Sequence, residues 1–311
     1  MVIVHTELKF GGTETYYLRI AKECQNQNKN FTLILFKENF NQQLYLKFIR
    51  AGAVIIFYHN LSRLSKFFTK LFPISVPSKN EIIKKLLLGE DVIYTANSLS
   101  FALAIKLNKI NNNKSKILVG FHHSMEFTWG NKSKSNIFSH EKQIRNIIFK
   151  QLPKENLLLY DNSTKKRVEN LTGLSLNGVK TFPYGVVFDY HKKLPNFYFT
   201  KPFKIISVGR LVSFKTYNFW MIEVIKSLKE AGYEVVYHIY GEGPERDLIQ
   251  KKIKKHNLSK EISLLGEFDY DLLSETISRY DLFIGSGTTI IEAASLGIPS
   301  IAGSESLEEA V

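Results

Sequence analysis

The chain has 311 residues, 44% of them hydrophobic and 13% aromatic, which is enough to build cores in two domains of ordinary size and excludes a disordered chain. Its single cysteine, Cys24, excludes an internal disulfide framework and reads as a small buried hydrophobe; no Cys/His cluster has zinc-ligand spacing, so no metal is expected. A formal net charge of +13 suits a polyanionic partner, whether nucleic acid, an anionic membrane surface or a phosphorylated substrate, and does not choose among them.

The opening residues, MVIVHTELKFGGTE, lack a basic leader followed by an apolar run, and no stretch approaches the roughly 18 apolar residues that span a bilayer; a cytoplasmic protein is expected. Short β-branched runs then alternate with amphipathic stretches of helix length. Strands are expected over 2–6, 31–36, 53–58, 91–95, 116–121 and 157–160, with helical patterns such as ETYYLRIAKEC and LSFALAIKL between them. Near-continuous apolar strands in a βαβα alternation imply a parallel sheet with helices on both faces. Within this half, LSRLSKFFTKLF (61–72) sets Leu61, Leu64, Phe67, Phe68, Leu71 and Phe72 against Arg63, Lys66 and Lys70. That pattern fits a core-facing helix with a solvated basic side, or a basic face lying on anionic lipid with IIKKLLLG nearby.

The rhythm breaks over 188–204, where prolines, lysines and aromatics follow no period, as in a linker. It restarts with five more strands, FKIISVG, EVVYHIYG, EISLLG, DLFIGSG and IPSIAG. The economical division is a first domain over 1–188, a linker over 189–203 and a second domain over 204–311, each a doubly wound α/β unit.

Ligands of parallel α/β sheets bind outside the carboxyl ends of strands, and four strand-to-helix turns have unusual content. After the first strand, Gly11 and Gly12 precede Thr13, which can cap a helix; paired glycines let backbone approach a ligand, and a helix N-terminus favours phosphate, although an ordinary turn would look the same. In KILVGFHHSMEF, His123 and the neighbouring Glu126 stand at a strand end, where a titratable ring can meet a substrate. In ISVGRLVSFKTYNF, Arg210 and Lys215 can converge on one diphosphate. In GSGTTIIEAASLG, Gly285 and Gly287 free the backbone, Thr288 and Thr289 can cap the following helix, its amides can face phosphate oxygens, and Glu292 can accept two vicinal hydroxyls or serve as a capping acid.

These turns, in this order, resemble the GT-B fold glycosyltransferases, in particular the retaining family 4 that uses nucleotide-sugar donors (glycosyl transferases group 1). GGTETYYLRIA is similar to that family's N-terminal glycine loop, HHSMEF to its histidine strand end, PYGVVF to its P-N-G-V-D segment, SVGRLVSFK to V-G-R-L-x-x-x-K and YGEGPERDLI to G-x-G-P-x-x-x-x-L. The resemblance implies two Rossmann-like domains facing across a cleft, and a hexosyltransferase moving a sugar from a UDP- or GDP-type donor to an acceptor hydroxyl with retention. It implies that Arg210 and Lys215 grip the diphosphate, that the amides around Gly287, Thr288 and Thr289 face the phosphates, and that Glu292 holds the ribose. Gly11 and Gly12 would shape the cleft, and His123 would act catalytically beside the transferred sugar, with no cofactor and no metal. The expected acceptor is a glycan or a lipid-linked glycan, as in surface polysaccharide synthesis; from charge rather than from any motif, the basic first domain is expected to rest peripherally on the inner face of a membrane where the acceptor is lipid-linked.

The chain departs from the family in two places. The first acid of the family's E-x7-E falls on Ile284, inside a strand, and relatives continue past the point corresponding to Val311, so the C-terminal end reads as shortened. Asp269 and Asp271 form a D-x-D before a helix, where capping explains them better than a divalent metal. Two further readings keep the same fold: a sugar-nucleotide epimerase, and a non-catalytic nucleotide-binding partner subunit. Nucleic acid is not an expected partner, because the lysines are scattered rather than interleaved with aromatics on one surface.

Overall fold

The computed structural model describes residues 1–9, 11–71, 74–122, 127, 144–182, 201–267 and 272–303. The chain divides into two compact units, Met1–Gly185 and Val186–Val311.

The first unit runs β1 (Val2–His5), α1 (Gly12–Asn26), β2 (Thr32–Leu35), α2 (Gln42–Arg50), β3 (Val54–Phe57), a 3-10 turn (Tyr58–Leu61), α3 (Lys66–Leu71), α4 (Asn80–Leu86), β4 (Val92–Thr95), α5 (Ser98–Ile110), β5 (Lys116–Phe121), β6 (Leu157–Leu159) and α6 (Asn162–Thr172). Its six strands are all parallel, in the order β3-β2-β1-β4-β5-β6. Alternation along β1 shows why both faces are apolar: Val2 and Val4 pack with Phe101 and Ala104 of α5, while Ile3 packs with Tyr17 and Leu18 of α1. Each face needs its own helix layer, so the strand reads as a continuous apolar run. Local chemistry sets the helix starts. The side chains of Asn41, Asn97 and Asp161 accept hydrogen bonds from the amides of Leu44 (3.0 Å), Ser100 (3.0 Å) and Thr164 (2.6 Å), and Gly173, at φ 69°, ends α6 in the left-handed region.

The second unit runs β7 (Phe203–Val208), α7 (Tyr217–Glu230), β8 (Val235–Tyr240), α8 (Arg246–Lys255), β9 (Ile262–Gly266), α9 (Leu273–Ile277), β10 (Leu282–Gly285), α10 (Thr288–Ser295) and β11 (Ser300–Ala302). Its sheet is again parallel, in the order β11-β10-β7-β8-β9. One core layer joins Ile205, Tyr237 and Ile284 to α7 and α8; the other joins Ile206, Val208 and Phe283 to α9 and α10. Both units are therefore doubly wound, and all eleven expected strands are present within a residue or two of their expected ends.

Two sequence expectations are corrected. The helix expected over 61–72 is confined to Lys66–Leu71, and Leu64, Phe67 and Phe68 are exposed rather than turned to the core. Of the four apolar side chains of this stretch that are described, Leu61, in the 3-10 turn, is the buried one. The apolar spacing is helical, but the segment leaves the sheet after the 3-10 turn and returns at Ser78, which pairs with Ser62, so Leu64, Phe67 and Phe68 are carried away from the sheet's core layer. The expected caps also differ. The N-caps of α1 and α10 are Gly11 and Gly287, neither with a side-chain cap, so Thr13, Thr288 and Thr289 do not cap.

Candidate functional site

In each sheet the strand order reverses beside the first strand: between β1 and β4 in the first unit, and between β7 and β10 in the second. At such a switch point the loops leaving neighbouring strands diverge to opposite faces and leave a crevice at the carboxyl ends.

In the second unit the two diverging loops are Gly209–Thr216 after β7 and Ser286–Gly287 after β10. Register places Leu282 beside Ile205 and Phe283 beside Ile206, and Ser207 Oγ donates to the Ile284 carbonyl (2.7 Å), so both strands end level. Thr289 Oγ1 lies 3.3 Å from the Ser286 carbonyl and 3.4 Å from the Val208 carbonyl, tying the first turn of α10 to the end of β7. The hydroxyl expected to cap the helix is thus engaged sideways, and the first amides of α10 are left without a side-chain cap. Gly287 is at φ 75° with open space where a Cβ would stand; the left-handed backbone there requires glycine, and the space gives access to the helix N-terminus.

Lys215 folds back across this turn. Its Nζ lies 3.2 Å from where a Cβ on Gly209 would be, with the Tyr217 hydroxyl 3.6 Å from the same point. Tyr217 is itself buried, with its ring against Gly303, where a Cβ would come within 2.5 Å of the ring. Arg210 is exposed and has no partner among the described residues. Glu292 is only 8% exposed, on the buried side of α10 beside Ala293. The helix N-terminus at Gly287, the ammonium folded over Gly209 and the guanidinium at the rim thus set partial and full positive charges on one crevice, an arrangement whose chemistry suits an anion. Ile284, which occupies the place of the family's first acid, is buried in β10 and packs in the core layer.

The loop carrying Arg210 is held by its neighbour after β8. Gly209 N donates to the Tyr240 carbonyl (3.0 Å), Leu211 N to the Glu242 carbonyl (3.0 Å) and Glu245 N to the Leu211 carbonyl (3.2 Å). The pairing of β7 with β8 is thereby carried past the strand ends.

In the first unit, Gly11 is the N-cap of α1 and Gly12 its first residue. Glu14, in the first turn, curls back so that Oε2 lies 2.6 Å from where a Gly11 Cβ would stand, and its other oxygen meets His5 Nε2 at 3.1 Å. His5, at the end of β1, is buried, and its Nδ1 has no hydrogen-bond partner. Behind it the Tyr94 hydroxyl joins three strand ends, reaching His122 Nε2 (2.8 Å) after β5 and the Tyr160 hydroxyl (2.6 Å) after β6. It lies 1.7 Å from where a Cβ on Gly120 would be, so only glycine fits there. This His/Tyr/Glu cluster was not anticipated from the sequence. His123 and Glu126 lie outside the described residues, as do Asp269, Asp271 and PYGVVF (183–188). Among the described residues no cluster of three His, Cys, Asp or Glu side chains could hold a metal.

Burial, and secondarily the charge of His5, pushes the pKa of His122 down to about 3, while burial raises that of Tyr94. His122 is therefore neutral in the folded chain, and a neutral ring nitrogen can accept the Tyr94 proton in a hydrogen bond. The sign of the pH effect follows. An unfolded His122 takes up a proton below about pH 6.5 and the folded one does not, so its contribution to stability is complete above that pH and is lost on acidification towards about pH 3, at up to ~1.4 kcal/mol per unit. Urea unfolding at a series of pH values is expected to show this acid-side slope, and His122→Gln to flatten it.

Comparison with known proteins adds the following. Residues 192–308 match the family described as glycosyl transferases group 1. The chain is 23% identical over 300 residues to the UDP-N-acetylglucosamine--peptide N-acetylglucosaminyltransferase GtfA subunit of Streptococcus agalactiae, a match covering 91% of this chain and 56% of that protein. It is 33% identical over 107 residues to the subunit of the same name from Streptococcus pneumoniae serotype 4, covering 32% of this chain and 20% of the relative. The chain thus spans about half the length of the Streptococcus agalactiae relative. Among solved structures, HepE from Anabaena in complex with UDP and glucose is similar with a TM-score of 0.70 at 15% identity, over 97% of this chain and 79% of that one. The pneumococcal O-GlcNAc transferase GtfA in complex with UDP and GlcNAc is similar with a TM-score of 0.64 at 12% identity, over 100% and 84%. At such identities the likeness is one of fold, that of the GT-B glycosyltransferases. Among the described residues no helix is long and apolar enough to cross a membrane.

Proposed function

We propose, for a chain whose residues 192–308 match the glycosyl transferases group 1 and whose two sheets have the GT-B fold, that the crevice between β7 and β10 holds the diphosphate of a UDP-type sugar donor. The sugar then passes to an acceptor hydroxyl. The observation that carries this reading is the uncapped start of α10 at Gly287, tied by Thr289 to the strand end from which Lys215 folds over Gly209. Lys215 and Arg210 offset the diphosphate charge that grows as the bond to the sugar breaks, and the α10 amides do so without reorganising. Glu292 takes the ribose hydroxyls. His123 and the glycine turn of Gly11 and Gly12 serve the sugar and acceptor side. No metal is needed in this scheme, since its positive charges come from the chain.

UDP is favoured over GDP because two of the structures similar in fold were solved with UDP. The acceptor is proposed to be a hydroxyl of a glycan, a lipid-linked glycan or, as the relatives' names state for them, a peptide. Ile284, in the core, leaves the first E-x7-E position without an acid; we propose that retention rests on the diphosphate rather than on a second carboxylate. Titration calorimetry is expected to show UDP binding at least about tenfold tighter than AMP, since the crevice has two cations for a diphosphate. UDP release from UDP-glucose or UDP-GlcNAc should appear only with an acceptor. Interconversion or hydrolysis of the donor alone would establish an epimerase instead, and tight UDP binding without release across peptide, glycan and lipid-linked acceptors would establish a binding subunit.

A further inference from the structure

The first unit bears an apolar and basic surface that the proposed transfer does not use. Between Leu61 and Lys79 the chain leaves the sheet and returns through a closed stem: Arg63 N donates to the Pro77 carbonyl (2.9 Å), Lys79 N to the Leu61 carbonyl (2.8 Å), and Ser62 pairs with Ser78. Lys106 of α5 fastens the returning limb, its Nζ donating to the carbonyls of Ile74 (2.9 Å) and Val76 (2.5 Å). The stem is buried at Leu61, Ser62, Val76 and Ser78. Leu64, Phe67 and Phe68, which it carries, are not. Phe67 is 66% exposed and Phe68 48%, their rings edge to face at 5.6 Å, with Leu64 exposed beside them. A well-anchored excursion that ends in bare aromatics is presented outward by construction; a chain that merely failed to pack would not be tied down at its base.

The charge around these side chains is predominantly positive. Across residues 61–89 the chain has six lysines and arginines against one acid, Glu81. Arg63, Lys79 and Lys85 are exposed and have no carboxylate partner among the described residues. Lys66 pairs with Glu38 and Lys84 with Glu81 (3.2 Å). Helices α3 and α4 both pack on the 3-10 turn Tyr58–Leu61, and α4 turns Ile82 and Lys85 outward while burying Ile83 and Leu87. Two neighbouring short helices thus expose apolar side chains rimmed by free cations.

We propose that this surface docks on an anionic lipid bilayer, Leu64, Phe67, Phe68 and Ile82 entering the headgroup boundary and Arg63, Lys79 and Lys85 meeting lipid phosphates. A bilayer is favoured over a protein partner because the exposed apolar groups are aliphatic or phenyl, with no hydrogen-bonding tip, and three of the surrounding cations, Arg63, Lys79 and Lys85, have no carboxylate partner among the described residues; lipid phosphates satisfy both without shape matching. The interaction is independent of nucleotide binding, since no residue of the β7/β10 crevice takes part.

Sedimentation of the full chain with phosphatidylcholine vesicles, with and without phosphatidylglycerol, tests it. Binding is expected to be at least about tenfold stronger to the anionic vesicles and to weaken as salt is raised. Phe67→Ser with Phe68→Ser, and separately Arg63→Glu with Lys85→Glu, should each lower it about tenfold or more, with unchanged thermal unfolding and unchanged UDP affinity. Equal binding to neutral and anionic vesicles, binding unaffected by both variants, or no vesicle binding would overturn the proposal. Self-association of the free chain that the phenylalanine variant abolishes, without vesicle binding, would assign the surface to a second copy instead.

Discussion

Replacing both Lys215 and Arg210 by alanine is expected to lower UDP affinity by roughly a hundredfold or more, because each removes a charge-assisted interaction of about 1.5–3 kcal/mol. The two cations should not contribute equally. Lys215 is half-buried and lies across Gly209 against Tyr217, where its charge is less screened and its side chain has already lost much of its freedom; Arg210 is exposed at the rim and must be ordered by the ligand. The Lys215 variant should therefore show the larger loss at physiological salt, and the Arg210 variant the steeper salt dependence. Glu292→Gln belongs in the same calorimetric series. It keeps the volume of a side chain that is 8% exposed and removes its charge, so affinity for UDP should fall about tenfold while affinity for inorganic diphosphate changes little. Unchanged affinity in all three variants would remove the nucleotide from this crevice altogether.

How much of this could be read from the sequence depended on whether the feature was local. The eleven strands were legible because a strand covered by helices on both faces must be apolar at consecutive positions, as Val2, Ile3 and Val4 are. The β7/β10 crevice was legible because its glycines and cations sit within a few residues of strand ends. The threonines were misread for a physical reason: a hydroxyl at a helix start can turn back to an amide or outward to a neighbouring carbonyl, and Thr289 turns to Ser286 and Val208, a choice set by a strand distant in sequence. The Tyr94 cluster was invisible for the same reason. Tyr94 inside DVIYT looks like an ordinary strand residue, and only the register that sets β4 against β5, together with the missing Cβ of Gly120, brings its hydroxyl to His122 and Tyr160. At Phe67 and Phe68 periodicity announced a helix but not what lies above it; an apolar stripe is the same string whether a protein core or another phase receives it.

Gly243→Ala is expected to be among the most destabilising single changes in the second unit, and to reach the crevice without touching a ligand. Gly243 is at φ 157°, and a Cβ there would stand 2.1 Å from the Leu211 carbonyl oxygen; at Gly241, φ 147°, it would stand 1.9 Å from the Gly209 carbonyl oxygen. Both obstacles are backbone, so no side chain can swing aside. Leu211 is buried and its amide and carbonyl are both engaged, with Glu242 and Glu245; moving its carbonyl an ångström breaks those bonds and displaces the loop that carries Arg210 and Lys215. A loss of about 3 kcal/mol or more in urea unfolding follows from combined backbone strain and broken pairing, with weakened UDP binding in the fraction that stays folded. Gly232→Ala is the matched control. Gly232 also has a positive φ, 82°, but nothing lies within 4 Å of its Cβ position, so only the left-handed strain of about 1–2 kcal/mol applies, and UDP affinity should hold. If the two variants lost equal stability and bound UDP equally well, the loops after β7 and β8 would not be locked together. The position of the cations would then depend on the β7 turn alone.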